Sequence, residues 1–401
     1  MSPLRFAALV VVAASLSACQ DPAGVGLGLI DEEGADPNAR AVYVTSLDTV
    51  AIVGTAIGFA NPNDSPHQPR VLVGDVTDPV FGDVRAVAYV DAVRPSSVDT
   101  EAEDVRAVWL ELRRDYAYGD TTTALPIALR QVNPTPSWSA STRYPADTTF
   151  ATGDVLTTTT VVIADTLVRF DLPASWVSAN AGLLVEDGFD AAFEGFALEP
   201  MGTTEPGAVF GFSTLASRGS RIRIATDEDT LSYALQEVFT SIQREEATMS
   251  PTSIYGARAS TNGGIRFDAD LTAVGPLPLS RGSLTLPIDR SFTEAGSFVR
   301  PLAARSGLYG VRSADSLRAF LGEVVIGADG DARVTNTTRL TPALQQVLLG
   351  DETFDRFEVV PSLTGVAPVI PVSLDILPVL RPTGPETGPR LTLTVVGRPA
   401  T

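Results

Sequence analysis

The stretch VRAVWLELRR, residues 105–114, places Val108, Leu110 and Leu112 on one face of an extended chain and Trp109 on the other. Apolar side chains at every second residue are typical of a β-strand with one buried face. The same alternation recurs after residue 40, in short segments separated by turn-forming residues. It predicts an all-β fold of tandem β-sandwich or jelly-roll domains, rather than a parallel sheet with crossover helices. The other segments are TLVRFDL (166–172), SRIRIA (220–225), GSLTLPID (282–289) and PRLTLTVVG (389–397).

Helical patterns are few and short. PASWVSANAG (173–182) and TPALQQVLLGD (341–351) each begin near a proline and end near a glycine, which is the usual punctuation of a short helix. DTLSYALQEVFTSIQREE (229–246) fits either a helix or a strand, because its apolar residues satisfy both spacings. We therefore expect a few short helices, with the conformation of 229–246 left open.

The two helical segments lie in similar surroundings, which indicates an internal repeat. Each follows the end of a strand and precedes an acidic loop with phenylalanine, and then a strand, FEGFALEP (193–200) or FDRFEVVP (354–361). An upstream strand also recurs, as RAVWLELR (106–113) and RGSLTLPID (281–289). Two tandem β-domains explain this pattern. We predict a first domain at 41–225 and a second at 226–401, with the boundary within 225–255.

The N-terminus has the layout of a secretory signal. A short region with Arg5 precedes an apolar run at 6–16 that is too short to span a bilayer, and small residues follow it. Residues 16–19, LSAC, resemble the bacterial lipobox. The resemblance implies a lipoprotein signal peptide at 1–18, lipidation of Cys19, and a flexible tether at 19–40. We expect a lipid anchor in the outer membrane, on either its periplasmic or its cell-surface face; an ordinary secreted protein is the alternative.

The charge is strongly acidic. The formal net charge is −19, and all 29 basic residues are arginine, since the sequence contains no lysine. A chain of this charge is not expected to bind nucleic acid or an anionic membrane surface. The acidic residues are spread along the chain, so we interpret the charge as an aid to solubility, with cation binding as the alternative.

Several classes of enzyme are disfavoured by composition. The single histidine, His67, lies in a proline-rich loop, and the single cysteine is assigned to lipid, so neither a catalytic triad nor a zinc site is expected. The absence of lysine disfavours Schiff-base chemistry and phosphate-binding P-loops. We predict no catalytic residues and no enzymatic activity. A pair of carboxylates, as in glycosidases, stays open.

Calcium is the only cofactor that we consider. Asp329 and Asp331, in GADGDARV, could supply carboxylate oxygens to a structural calcium ion. Their spacing is not that of an EF-hand, and two aspartates in such a segment more often form a turn. We expect no other cofactor.

Three aromatic residues are candidates for contact with a ligand. Trp138 lies beside Tyr144 in a loop-like segment, and Trp109 lies on the strand face opposite the predicted core. Exposed tryptophan and tyrosine rings could stack against sugars. Packing is the alternative, because tryptophan is highly buried on average, and Trp176 is expected in the core.

The segment VLVGDVTDPVFGDVRAVAYVDAVRP, residues 71–95, resembles a recurrent segment of the domain of unknown function 4270 family, lipoproteins of Bacteroidota-type envelopes. Its signature turn is Asp78, Pro79, Phe81 and Gly82. The first half, with IALRQVNPTPSWSAS (127–141) and GFAL (195–198), is also similar to jelly-roll modules of the carbohydrate-binding type. These resemblances imply a β-rich envelope lipoprotein but no particular activity.

The combined expectation is a non-catalytic, lipid-anchored protein. It would act as a binding or assembly component that presents β-sandwich domains to an envelope protein or a glycan. The first alternative is a carbohydrate-binding lipoprotein that uses exposed aromatic residues. The second is a carboxylate-dependent glycan hydrolase, for which two carboxylates should face each other across a groove.

Overall fold

A computed structural model shows a chain built mainly of antiparallel strands, with three α-helices in the part that it describes. The helices are α1 (Ala174–Val185), α2 (Phe189–Ala192) and α3 (Leu340–Leu349). The described residues are 38–44, 47–50, 57–58, 69–133, 138, 143–145, 147–202, 206–245, 253–257, 263–271, 274–292, 296–312, 317–327, 330–334, 336–351, 354–361, 372–384 and 388–396.

The strands are numbered in chain order. The first twelve are β1 (Ala39–Tyr43), β2 (Leu47–Val50), β3 (Ile57–Gly58), β4 (Arg70–Asp78), β5 (Gly82–Val93), β6 (Ala107–Asp120), β7 (Leu125–Val132), β8 (Arg143–Tyr144), β9 (Thr152–Val161), β10 (Leu167–Asp171), β11 (Phe196–Pro200) and β12 (Gly207–Ser213). The next twelve are β13 (Arg221–Ala225), β14 (Thr230–Glu245), β15 (Ser253–Ala257), β16 (Gly264–Phe267), β17 (Leu279–Leu286), β18 (Phe298–Val299), β19 (Arg305–Arg312), β20 (Leu317–Ile326), β21 (Ala332–Val334), β22 (Arg356–Val360), β23 (Ile376–Leu380) and β24 (Arg390–Val395).

The first sheet contains eleven strands in the order β14-β13-β6-β12-β4-β5-β11-β7-β9, with β10 and β18 also paired to β6. The long strand β14 pairs with β13 along its first half and with β5 along its second half. The hydrogen-bonded path therefore returns to its starting strand. Long strands that bend and change neighbours in this way are typical of β-sandwich folds.

The core of the first sheet is formed by the alternating residues that the sequence indicates. Val108, Leu110 and Leu112 are at most 1% exposed, and Phe170 and Ile224 are fully buried with them. Helix α1 adds further buried side chains to this core, including Trp176, which confirms the expectation for that residue. The apolar period of two thus corresponds to one continuous buried layer.

The second sheet contains nine strands in the order β1-β24-β17-β21-β20-β19-β22-β16-β2. Its two end strands, β1 and β2, are consecutive in the sequence. Only three Cα steps, about 11 Å, separate Val44 from Leu47, so the two ends of the sheet lie close together. The sheet is therefore strongly curled around its core, which Leu340 and Leu344 of α3 help to fill.

The predicted repeat appears in the strand pairing. Strand β6 pairs with β10 and β13, and its counterpart β17 pairs with β21 and β24. Helix α1 follows β10 as α3 follows β21, and both helices occupy the predicted segments. The two halves of the chain therefore share one order of strand pairing.

Sheet membership differs from the predicted division at residue 225. Strands β1 and β2 come before residue 225 but belong to the second sheet, and β14 lies within 226–401 but belongs to the first. An alternating pattern identifies a strand but contains no information about which edge it pairs with. Strand β1 also begins at Ala39, so it includes the last two residues of the predicted tether.

The ambiguous segment 229–246 is the strand β14. Its register to β5 shifts between Leu235 and Val238, because two residues of β14 there lie opposite one residue of β5. Tyr233, Leu235 and Val238 all enter the core, while Phe239 packs on the opposite face of the sheet. The bulge changes the phase of the alternation and produces the helix-like spacing of the sequence.

Candidate functional site

The signature turn is organised by the carboxylate of Asp78, at the end of β4. Its Oδ1 accepts the backbone N–H groups of Val80, at 2.8 Å, and Phe81, at 3.1 Å. Gly82 closes the turn with a φ of 84°, in the left-handed region that favours glycine. The sequence DPVFG thus forms a turn in which the aspartate side chain caps the backbone.

Asp78 also forms a buried ion pair with Arg300, which lies between β18 and β19 in the second half of the chain. The guanidinium Nε lies 2.7 Å from Oδ2 and Nη2 lies 2.9 Å from Oδ1, while the Tyr118 hydroxyl donates to Oδ2 at 2.6 Å. Burial alone raises the pKa of Asp78. The hydrogen bonds from Arg300 and Tyr118 outweigh it, and the pKa lies below its ordinary value.

Aromatic and backbone contacts surround this ion pair. The rings of Phe81 and Tyr255 meet edge to face with their centroids 4.0 Å apart, and the Tyr255 hydroxyl donates to the Val80 carbonyl at 3.0 Å. The guanidinium of Arg300 stacks over Phe298, 4.3 Å from the ring centroid. The signature turn is therefore one of the places where the first sheet contacts residues of the second half of the chain, and the pairing of β18 with β6 is another.

Trp138 and Tyr144 belong to an aromatic cluster on the outer face of the first sheet. Trp138 is only 5% exposed, and its Nε1 donates to the Glu194 carbonyl at 2.8 Å. Tyr144 is half-buried, and its ring meets that of Phe150 edge to face. Tyr89 of β5 also contacts Phe150. For Trp138, the packing alternative describes its surroundings better than contact with a ligand.

A group of carboxylates adjoins this aromatic cluster. Asp91, two residues after Tyr89 on β5, lies opposite the bulge of β14. Burial raises the pKa of Asp91 well above its ordinary value, and the negative charges of Glu237, Glu194 and Asp190 raise it further. The charged form of Asp91 is thus disfavoured by burial and by like charges together.

Replacing Asp91 with asparagine is expected to stabilise the fold at neutral pH. Because the pKa of Asp91 is raised in the folded state, its protonated form stabilises the fold. This stabilisation is lost as the pH rises from the ordinary aspartate pKa of 3.8 through the folded pKa. The Asp91→Asn variant should therefore match wild type near pH 3 to 4 and exceed it increasingly at higher pH. Urea unfolding across this range measures the difference.

The matched control is Asp83→Asn, an exposed aspartate on the same strand. It should change the urea midpoint little at any pH. An Asp91→Asn variant that is less stable than wild type at neutral pH would contradict the assignment.

Trp109 lies on the outer face of β6, partly exposed. Its Nε1 donates to Glu111 at 2.8 Å, and the guanidinium of Arg169 lies over the ring, 4.0 Å from its centroid. Arg223 forms an ion pair with the same glutamate at 3.1 Å. One face of the indole is thus covered by a cation, and a sugar would have to displace Arg169 to stack there.

The weak calcium candidates are not brought together in the described residues. Asp331 lies beside Arg333, with 3.8 Å between the charged atoms, and its backbone carbonyl closes the turn from Gly327. Within the described part of the chain, no group of three or more histidine, cysteine, aspartate or glutamate residues could hold a metal ion. Asp329, Cys19 and His67 lie outside the described residues.

Several residues of these sites have no sequence signal. Arg300 and Tyr118 are not part of any motif, and Asp91 differs from other aspartates only by its position opposite a bulge. The DPVFG turn is singled out by the sequence as a motif, but nothing in that motif indicates that the two halves of the chain meet there.

In the described residues, no helix is long and apolar enough to cross a membrane.

No family profile, curated protein or solved structure matches this chain. The resemblance to the domain of unknown function 4270 family therefore stays a prediction from short motifs.

Proposed function

We propose that this chain is a lipid-anchored outer-envelope protein that acts without catalysis, as a binding or assembly component. It presents two β-sandwich domains to a protein or glycan partner. The N-terminal lipobox supports the anchor, and the all-β architecture supports a role in presentation, since rigid sheets hold loops and edges in fixed positions.

The observation that carries this proposal is the buried junction at Asp78. A bidentate ion pair fixes the signature turn to Arg300. The side chain of Asp78 is 0% exposed and that of Arg300 is 4% exposed. The residues that the resemblance marks as characteristic thus hold the chain's two halves together rather than lining an open cleft. Such a junction suits a scaffold, whose function depends on the relative position of its parts.

The alternative of glycan binding through exposed aromatics has weaker support. Trp138 is packed, Tyr144 contacts neighbouring rings, and Trp109 carries Arg169 on its ring. The hydrolase alternative has one supporting observation, the raised pKa of Asp91 beside Glu194 and Glu237. A glycosidase requires a carboxyl group of raised pKa that faces a second carboxylate across a groove.

The anchor is tested with Cys19→Ser in the full chain expressed in a Gram-negative host. Wild type should incorporate radiolabelled fatty acid and stay with the membrane fraction after a high-salt wash, because more than one acyl chain anchors stably. The Cys19→Ser variant should lose the label and leave the membrane fraction. Equal labelling of both proteins would refute the anchor.

The role in binding is tested by photo-cross-linking in the same cells. A photoreactive residue at Leu167 or Leu349, which are 51% and 54% exposed, should give a discrete adduct in the anchored protein. The matched control carries it at Asp187, whose side chain is 98% exposed. Release of reducing sugar from envelope glycans that disappears in Asp91→Asn would instead establish the hydrolase.

A further inference from the structure

The two halves of the chain correspond strand by strand. The pairs β7–β9, β7–β11, β5–β11 and β4–β12 in the first half match β19–β20, β19–β22, β16–β22 and β15–β23 in the second. Together with the pairs of β6 and β17, they define one topology that occurs twice. Each half is therefore expected to need the same set of strands to close its core.

The strand β14 completes the first half. It follows β13 in the sequence, pairs with β13 from residue 230 to 234, and then pairs with β5 from 234 to 245. In the second half, the partners that correspond to β13 and β5 are β24 and β16. Their outer edges are taken by β1 and β2, from the N-terminal part of the described chain.

Residues 39–44 and 47–50, which we call the donor segment, therefore occupy the place of β14 in the second half. The direction and order agree, since β1 pairs with the counterpart of β13 and β2 with the counterpart of β5. Val42, Val44 and Leu47 of the donor segment are buried in the core of the second sheet. The second half thus receives its last strand from a segment that lies before the first half in the sequence.

The edges of β24 and β16 form an acceptor groove that needs this strand. The donor segment fills the groove with a backbone ladder of five residue pairs on one side and four on the other. Without it, both edges would expose unpaired N–H and C=O groups, and the core would be open to water. The buried side chains of Val42, Val44 and Leu47 add apolar contacts to this ladder.

In the described residues, the connection from the donor segment to β4 is held by one short ladder. In it, β3 pairs with β8 of the first half through two residue pairs, Ile57 with Tyr144 and Gly58 with Arg143. Nineteen residues separate Val50 from Arg70, and an extended chain of this length spans up to about 70 Å. Exchange therefore requires release of the β3–β8 pair, after which the connection is long enough to reach the acceptor groove of an adjacent copy.

We propose that copies of this chain assemble by exchanging the donor segment, so that the donor segment of one copy completes the second sheet of another. The interaction is main-chain strand addition, with Val42, Val44 and Leu47 as the specific side chains. A second copy is the occupant for which the groove is already complementary in register and in apolar pattern. The proposal goes beyond the proposed function and does not depend on lipidation of Cys19.

The test uses cysteines across the β1–β24 ladder in the full chain. Ala41 and Thr392 are directly opposite each other, and opposing residues of antiparallel strands lie within the range of a disulfide. Two differently tagged copies are co-expressed, one with Ala41→Cys and one with Thr392→Cys, and then oxidised. We expect a disulfide-linked band at the mass of two chains that carries both tags.

Two controls make the result decisive. The pair of Ala41→Cys with Arg333→Cys, which lies on β21, separated from β24 by β17, should give no such band. A single copy with both Ala41→Cys and Thr392→Cys confirms that the ladder forms and that the cysteines oxidise. If this copy forms its disulfide only within the chain, and the two-copy experiment gives no band, the exchange does not occur and the proposal is overturned.

Discussion

Asp78→Ala is expected to lower the free energy of unfolding by about 3–5 kcal/mol, the cost of leaving one partner of a buried ion pair alone. The guanidinium of Arg300, 4% exposed, would then be buried without a counter-charge, and the Tyr118 hydroxyl would lose its acceptor. The two backbone N–H groups of the signature turn would also lose theirs. Chemical denaturation followed by tryptophan fluorescence measures the loss.

The pH dependence gives a second readout of the same variant. Since the folded pKa of Asp78 is lowered, its contribution is present above the ordinary value of 3.8 and is lost as the pH falls through the folded value. The difference between wild type and Asp78→Ala should therefore be constant near neutrality and shrink in strong acid. A difference that grows on acidification would contradict the ion-pair assignment.

The matched control is Asp75→Ala, three residues earlier on β4. Its ion pair with Arg85 is partly exposed, with side chains 30% and 41% accessible, so its loss should cost about 0–1 kcal/mol. Arg300→Met together with Asp78→Ala should cost less than the sum of the single changes, because the two residues interact directly. Additive losses would show that the ion pair is not what the substitutions remove.

Gly74→Ala should destabilise the first sheet by about 2–5 kcal/mol, from backbone strain together with steric overlap. Gly74 has a φ of +154°, and a Cβ there would lie 2.2 Å from the Ala208 carbonyl oxygen and 2.5 Å from the Cα of Val209. Both atoms belong to the backbone of β12, which pairs with β4 at this position. The neighbouring strand would have to move, and thermal unfolding should detect the change.

Two glycines separate the causes of this effect. Gly188→Ala has no atom within 4 Å of the new Cβ and an ordinary φ of −80°, so it should be nearly neutral. Gly219→Ala meets no neighbour either but keeps a φ of +99°, so it should cost about 1–2 kcal/mol, the cost of the left-handed backbone alone. If Gly74→Ala costs no more than Gly219→Ala, the close approach of β12 is not limiting.

The strands of this fold are predictable from sequence because each one buries alternate residues. Leu284 and Leu286 in the second sheet and Leu391 and Leu393 beside them are all at most 1% exposed, as the alternation indicates. The alternation failed to specify one long strand, β14, where the bulge after Leu235 places two residues opposite the single residue Asp91 of β5 and so inserts one extra residue into the pattern. Local period therefore predicts strands well except where the ladder itself is irregular.

The sheets and the junction were not predictable in the same way. Arg300 and Asp78 are 222 residues apart, and nothing in the spacing of either residue indicates the other. The sequence also did not show that β1 and β2 belong to the second sheet and β14 to the first. Edge pairing depends on backbone groups that every residue carries, so it leaves no mark on the residue types. The burial of Trp138 could not be read from its sequence either, since the exposure of an aromatic ring depends on which segments cover it.

The position of the donor segment determines how the molecule responds to mechanical force. A pull on the N-terminus is applied first to β1, and through its ladder to β24 in the second sheet. Strand β4, where the first sheet begins, lies beyond the donor segment and bears no load while that ladder holds. The second sheet thus bears the tension between the N-terminus and the rest of the chain, and its rupture force sets how hard the protein can be pulled before the first sheet is strained.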